Sequence, residues 1–353
     1  MLNLNDREWK EFYLSDIFTI SSGKRFVSER MHEGRRPFIG ATDSGNGITN
    51  FVSDKNESLD RNVLGVNYDG NGMVISFYHP YECIFSDSVK RLHLKKHEDN
   101  VYILLFFKTV ILQQKSKYNY GYKFNANRMS RQLISIPVDE QGKPDYAFME
   151  SYAKEEAKQK KQRYAEYAQK QITELEYKEL PLLREKMWRS FRLLDLFDYR
   201  RGNQNNMNSL VVGNDMLISA KNMNNGLKGF FVSNNDRKGT YRGNCITLNN
   251  DGDGGVGLAY YQPYKFLLDT HVYALYPKLN ISKYAMQYIT LSLSKQRVCF
   301  SHGYSISQDR LKKMRIMLPT DEHDNADYDY MEQYTKNLVL KKYTAYLQYQ
   351  NAK

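Results

Sequence analysis

No run of about 18 apolar residues occurs in the 353-residue chain, which argues against a membrane-spanning helix. Cysteine is scarce: Cys83, Cys245 and Cys299 lie far apart and form no CxxC pair. Neither a disulfide framework nor a cysteine zinc site is expected, and the thiols read as reduced, as in a cytoplasmic protein. The opening Met1-Leu2-Asn3-Leu4-Asn5-Asp6 lacks the basic start and apolar stretch of a secretory leader. Transfer chemistry leaves no signature either. There is no Walker loop, no Asn-Pro-Pro-aromatic run, and no acid pair with a nearby lysine at nuclease-like spacing. These absences predict a chain with no catalytic residue, no cofactor and no metal of its own.

Two short patterns imitate sites. Gly252-Asp253-Gly254-Gly255-Val256-Gly257 matches GxGxxG, but Leu258 to Gln262 and then Pro263 follow where a dinucleotide loop would open a helix. A hairpin turn is the expectation. Asp251 and Asp253 suggest a calcium loop, yet its twelfth position is Gln262 rather than Glu. His93 and His97 are four apart, but Lys95 and Lys96 lie between them and no acidic ligand is counted beside them. They read as a solvated surface rather than a metal site.

What the chain has is positive charge, tyrosine and repetition. Its 51 Lys and Arg against 40 Asp and Glu give a net charge of +11, which favours a polyanionic partner through counterion release. Twenty-nine tyrosines supply flat amphipathic faces that suit cores, interfaces and bases alike. The repetition reorganises the reading. Trp9-Lys10-Glu11-Phe12-Tyr13-Leu14-Ser15-Asp16-Ile17-Phe18 returns as Trp188-Arg189-Ser190-Phe191-Arg192-Leu193-Leu194-Asp195-Leu196-Phe197, and Gly23 as Gly202. Asn67-Tyr68-Asp69-Gly70 answers Asn249-Asn250-Asp251-Gly252, and Gly121-Tyr122 answers Gly303-Tyr304. Ile136-Pro137-Val138-Asp139-Glu140 answers Leu318-Pro319-Thr320-Asp321-Glu322. Two long units in the same order mean a duplicated domain rather than a solenoid.

Each unit begins with short apolar runs between Gly, Asn and Asp turns. Leu64 to Val66, Met73 to Phe77 and Cys245 to Leu248 read as strands, and Leu104 to Gln114 and Tyr284 to Lys295 as helices. After Pro137 or Pro319 the pattern changes. Tyr146 to Leu180 contains neither Gly nor Pro, and Met149, Ala153, Ala157, Tyr164, Ala168, Ile172 and Leu175 form one stripe. Met331, Tyr334, Leu338, Tyr343 and Leu347 repeat it. About 35 residues would make a helix about 50 Å long, or roughly 15 base pairs of DNA. Two striped helices in one chain can bury each other. The expected architecture is α+β, with two mixed α/β domains (1–144 and 182–326) joined by helical spacers (145–181 and 327–353) that pair as an antiparallel coiled coil.

The opening Trp-x-x-Phe-x-Leu-x-Asp-(Ile/Leu)-Phe-x₄-Gly and the Pro-x-Asp-Glu junction resemble those of specificity subunits of type I restriction–modification enzymes. The resemblance covers essentially the whole chain. It departs at the junction, where one proline precedes a polar turn (Gln141 to Tyr146, His323 to Tyr328), as in separate specificity subunits of type IIB systems. The resemblance implies a non-catalytic DNA-binding subunit, each target-recognition domain reading one half of a split sequence. The helices would set the gap and dock DNA methyltransferase subunits. The implied partners are double-stranded DNA and those modification subunits, either fused to a nuclease or joined by an ATP-dependent restriction subunit. S-adenosylmethionine would belong to the methyltransferase, and no membrane is involved. The rival reading is a helical-rod scaffold that binds an acidic protein.

Base edges are read by Arg, Lys, Asn, Gln, Ser and Thr, and phosphates by basic side chains. Lys115 to Asn125 is dense in such residues, and Lys295 to Ser305 is its diverged counterpart. Lys117, Tyr120, Tyr122, Lys123, Asn125 and Arg128 are therefore the candidate DNA contacts of the first domain. Arg297, His302, Tyr304 and Arg310 are those of the second. Lys24 and Arg25, with Arg200 and Arg201, are candidate phosphate contacts. Lys160-Lys161-Gln162-Arg163 reads as a solvated helix face.

Overall fold

The opening motif of each repeat folds as a strand, one helical turn and a second strand. In the first repeat these are β1 (Glu8–Tyr13), α1 (Leu14–Ile17) and β2 (Phe18–Ser22). They lead into β3 (Glu33–Ile39), β4 (Ile48–Val52), β5 (Val63–Asn67), β6 (Ser76–His79), β7 (Ile84–Phe85) and β8 (Val89–Leu94). Then come α2 (Val101–Leu112), α3 (Ala126–Ser130), β9 (Leu133–Val138) and the long α4 (Tyr146–Glu174). The second repeat opens with β10 (Trp188–Arg192), α5 (Leu193–Leu196) and β11 (Phe197–Arg201). It continues through β12 (Val212–Ile218), β13 (Leu227–Phe231), β14 (Cys245–Asn249), β15 (Ala259–Gln262), β16 (Leu267–Leu268) and β17 (Val272–Pro277). It closes with α6 (Lys283–Lys295), α7 (Gln308–Lys313), β18 (Arg315–Pro319) and α8 (Tyr328–Asn351). This computed structural model describes residues 2–352 apart from 71, 205–209, 233–238, 253–254 and 302. The chain divides into two units, Met1–Tyr164 and Ala165–Lys353.

Among the described residues both units have the same topology. A four-stranded sheet runs β2-β8-β5-β6 in one and β11-β17-β14-β15 in the other. A three-stranded sheet runs β4-β3-β7 and β13-β12-β16, with a parallel pair in each. A two-stranded ribbon closes each repeat, β1 with β9 and β10 with β18. Buried Leu14 and Leu193 start the helical turns and lie in the main cores with Phe18 and Phe197. The motif glycine is needed because its Cβ would sit 2.0 Å from the Ser86 carbonyl oxygen at Gly23, and 1.8 Å from that of Asp269 at Gly202. No side chain fits there.

The junction acids have a structural use. Asp139 Oδ1 accepts from the Gln141 and Lys143 N–H groups, and Asp321 Oδ1 from those of His323 and Asn325, which closes the polar turn. Asp145 and Asp327 then cap the helices, accepting from Phe148 N–H and Tyr330 N–H at 2.9 Å. Met149 and Met331 bury the first turns in their cores. Within the second unit the end of α4 meets α8, where the Tyr167 and Tyr343 rings stand edge to face at 6.0 Å. No helix among the described residues is long and apolar enough to cross a membrane.

Two elements differ from expectation. The helix expected to reach Leu180 stops at Glu174, after 29 residues. Glu174, Glu176 and Glu179 oppose the negative end of a helix dipole, and Pro181 disfavours helical backbone before it. The polar backbone of this strap is taken up by α8 instead. Gln333 Nε2 donates to Glu176 O, Asn337 Nδ2 to Lys178 O, and Tyr330 OH to Pro181 O, at 2.7–2.9 Å. Met73 to Ile75, expected in a strand, form a turn between β5 and β6. Buried Val74 there holds φ +69° while its N–H donates to Asn67 O. Its counterpart is Gly257, with φ +78° and the same bond to Asn249 O.

Candidate nucleic-acid interface

Each unit displays one loop between the helix that flanks its four-stranded sheet (α2 or α6) and the short helix that follows (α3 or α7). Both loops are built alike. Asn119 pairs with Tyr122 in one, and Ser301 with Tyr304 in the other, as a minimal hairpin. In the first, Asn119 Oδ1 accepts from Gly121 N–H and Tyr122 N–H at 3.0 Å, and Tyr122 stacks on Tyr118 at 5.7 Å. In the second, Tyr304 stacks on Phe300 at 6.2 Å. An arginine of the following helix covers each tyrosine: Arg128 lies 3.9 Å over Tyr122, and Arg310 3.8 Å over Tyr304. The same guanidiniums donate to Lys123 O at 2.9 Å and Ser305 O at 2.7 Å. These two arginines brace the loops. Asn125 is the N-cap of α3, its Oδ1 accepting from Arg128 N–H, and Ser307 caps α7 in the same way.

The residues at the loop surface differ. Tyr120 is 86% exposed, and Lys123 reaches back to Asp69 at 2.8 Å and lies over the Tyr120 ring. That hydrogen bond raises the Lys123 pKa and lowers that of Asp69. Lys117 is exposed and donates to Gln114 at 2.7 Å. Tyr118 is fixed by its hydroxyl to Gln132, and burial raises its pKa. His302 lies outside the described residues. The hairpins align Tyr122 with Tyr304, so Arg297 answers Lys115 rather than Lys117, and Lys117 answers Cys299. Equal-length segments counted from Lys115 and Lys295 miss this by two residues. Lys115 and the 90% exposed Val298, unremarked in sequence, therefore belong to the loop tips.

The remaining candidates are spread over the strands. Lys24 pairs with Glu57 at 3.0 Å, and Arg25 is exposed. Arg200 lies 5.9 Å over Tyr276, and Arg201 donates to Thr270 O at 3.0 Å. The glycine-rich segment before β15 joins two antiparallel strands, as a hairpin should. Lys160 to Arg163 are exposed on α4. His93 overturns the solvated-surface expectation. It lies on β8, half-buried, with Nδ1 2.6 Å from Asp99 and Nε2 3.1 Å from Asp60. Hydrogen bonds to these acids raise its pKa to about 9. Asp60 was invisible to local sequence because it arrives from a distant turn, whereas Asp99 stood six residues away and was passed over. Arg91 completes the cluster with an ion pair to Asp60 at 2.9 Å. His97 is exposed and its ring lies tilted against Tyr146 at 4.8 Å. Among the described residues no group of three or more His, Cys, Asp or Glu side chains is placed to hold a metal ion.

The chain is 57% identical over 150 residues to S.BcgI, a type II restriction enzyme specificity subunit of Heyndrickxia coagulans. That match takes in 42% of this chain and 44% of the relative, so it spans less than half of the curated protein. Among solved structures, the type I restriction–modification S subunit of M. genitalium covers 99% of this chain and 94% of its own, at 14% identity and a TM-score of 0.42. The HsdS subunit of Thermoanaerobacter tengcongensis covers 97% and 91%, at 13% identity and a TM-score of 0.34. The model of the type I restriction modification DNA specificity domain matches twice, at residues 6–166 and 185–346, once per repeat. The chain belongs to the type I restriction modification DNA specificity domain family.

Proposed function

We propose that the chain is the DNA sequence-specificity subunit of a restriction–modification enzyme. Each unit reads one half of a bipartite target, and the long helices set the gap and dock methyltransferase subunits. One observation carries this reading: two loops with the same Arg–Tyr brace present different tips, Lys115, Lys117 and Tyr120 against Arg297 and Val298. A conserved frame with diverged tips is what two readers of unlike half-sites need. The family match and the net charge of +11 support it. The rod-scaffold alternative accounts for the charge but not for the family match.

The partners are double-stranded DNA and modification subunits. Those subunits bring S-adenosylmethionine and flip the target adenine, while this chain contributes no catalysis. The single-proline junction and the type II relative favour a partner that fuses methyltransferase and nuclease over one joined by an ATP-dependent subunit. The setting is the cytoplasm. Methylome sequencing of cells carrying the complete system should show one split methylated motif. Absence of any such motif, or methylation or cutting of DNA by the isolated chain, would overturn the reading. Removing charge at Lys117, Lys123 or Arg297 should weaken binding by the assembled complex. It should also lower the salt slope by about one per lost phosphate contact.

A further inference from the structure

The two units treat one position of their shared fold differently. In the first, the acid of the β5–β6 turn, Asp69, is closed off by Lys123 of the loop at 2.8 Å. The hairpin register that aligns Tyr122 with Tyr304 places Ser305 where Lys123 stands, and the repeat places Asp251 where Asp69 stands. Serine is too short to reach across. Among the described residues no cation pairs with Asp251, whose Oδ1 accepts only the Gly252 N–H of its own turn, at 2.8 Å.

Asp251 lines an open cavity of about 330 Å³ together with Lys221, Asp269 and His271. The Asp269 carboxylate is buried and its Oδ1 is engaged by the ring and N–H of His271, whereas Asp251 is only partly buried. Asp251 is therefore the more accessible acceptor of the two, with most of a carboxylate's roughly four lone-pair sites unused. The loop is fastened to this same turn: Ile306 N–H donates to Asn250 O at 2.8 Å, and a Cβ on Gly257 would lie 3.0 Å from Arg297 Cα. The acid and the loop are therefore fixed to one and the same turn.

We propose that Asp251 is a specificity-determining residue of the second unit, accepting a hydrogen bond from the exocyclic amino group of a cytosine. An acceptor-only carboxylate suits cytosine N4, whereas adenine would set its N7 acceptor against the same charge. The proposal rests on the DNA-reading function above. Its first-unit counterpart cannot do this, because Lys123 occupies it.

The test uses the complete complex in cells, read by methylome sequencing, with Asp251→Asn and Ser305→Lys variants. Asparagine keeps the turn's acceptor but adds a donor suited to adenine, and lysine supplies the missing cap. Asp251→Asn should move the preference at one position of one half-site from C·G towards A·T, by roughly 5- to 100-fold. Ser305→Lys should relax that same position, and the other half-site should not change in either variant. Both half-sites unaltered in both variants, or a change confined to positions that are not C·G in the wild type, overturns the proposal while leaving DNA reading intact. A wild-type system with no split motif overturns both.

Discussion

Where the edge of the first unit's four-stranded sheet is held by charge, the same edge of the second is held by rings. On β8, Arg91 and His93 pair with strand β2 at the register where β17 presents Ala274 and Tyr276 to β11. Asp60, bridged to Cys83, stands where Tyr241, bridged to Phe266, stands in the second unit. Thus Asp60, Arg91, His93 and Asp99 form a closed ionic set in one copy. In the other, Tyr241 stacks on Phe266 at 5.9 Å, and Arg242 lies 4.7 Å over Tyr276. The arginine has even changed strands, facing Ser21 from β8 in one unit and Ala274 from β11 in the other. Duplication preserved the backbone register and let the side-chain sets diverge as whole networks, because a half-replaced network would leave a buried charge unpaired.

The contrast can be broken most directly at its centre. Asp60→Ala strips the carboxylate from Arg91 and His93 and should cost the first unit about 3–5 kcal/mol. Tyr241→Phe removes one hydrogen bond to Arg201 O and should cost the second about 1 kcal/mol. Denaturant unfolding with hydrogen exchange reading each unit measures both, and equal losses would erase the distinction. The scaffold itself should show no contrast. Gly23→Ala and Gly202→Ala each push a Cβ into a carbonyl oxygen and should each cost about 3 kcal/mol in the same assay. Smaller still, Arg128→Met and Arg310→Met should each loosen one loop by about 1 kcal/mol, seen as matching gains in proteolytic cleavage there.

The subtlest difference is in pH dependence. His93 is held at about 9, chiefly by its hydrogen bond to Asp60, whereas the unfolded chain sheds that proton near 6.5. Its stabilisation is complete below about pH 6.5 and is lost as pH rises through about 9. His79 acts in the opposite sense. Burial pushes its pKa down to about 4, so its contribution is complete above about 6.5 and is lost as pH falls towards 4. Tyr276 and Gln262 occupy these places in the second unit. Unfolding midpoints followed from pH 7 to 9.5 should therefore fall further for the first unit, and His93→Gln should remove the excess.

Much of this was legible in the sequence. The repeat placed Gly23 with Gly202, and the short apolar runs at Val63 to Val66 and Cys245 to Leu248 became central strands. Periodicity gave α2, α6 and the start of both long helices. What stayed hidden depends on tertiary partners. Nothing near Leu175 to Leu180 announces that Gln333 and Asn337 will take over its backbone bonds. Met73 to Ile75 read as a strand because burial and strand propensity look alike in a short apolar run. The repeat already set Gly121-Tyr122 against Gly303-Tyr304, and the two-residue slip came from starting the second segment at Lys295 rather than Arg297, a choice the Ser301–Tyr304 pairing corrects.

The tryptophan that opens each repeat fastens the chain just before it: Trp9 Nε1 donates to Leu4 O at 2.8 Å, and Trp188 Nε1 to Leu183 O at 2.9 Å. Each repeat thus carries its own buckle, made from residues on its own side of the seam. A crossover between genes upstream of Leu183 would transplant a half together with its fastening, and the α8 bonds to the strap that it severs are made to backbone carbonyls, which any incoming sequence supplies. Such a chain can acquire a new half by inheritance in one step, without first repairing the join.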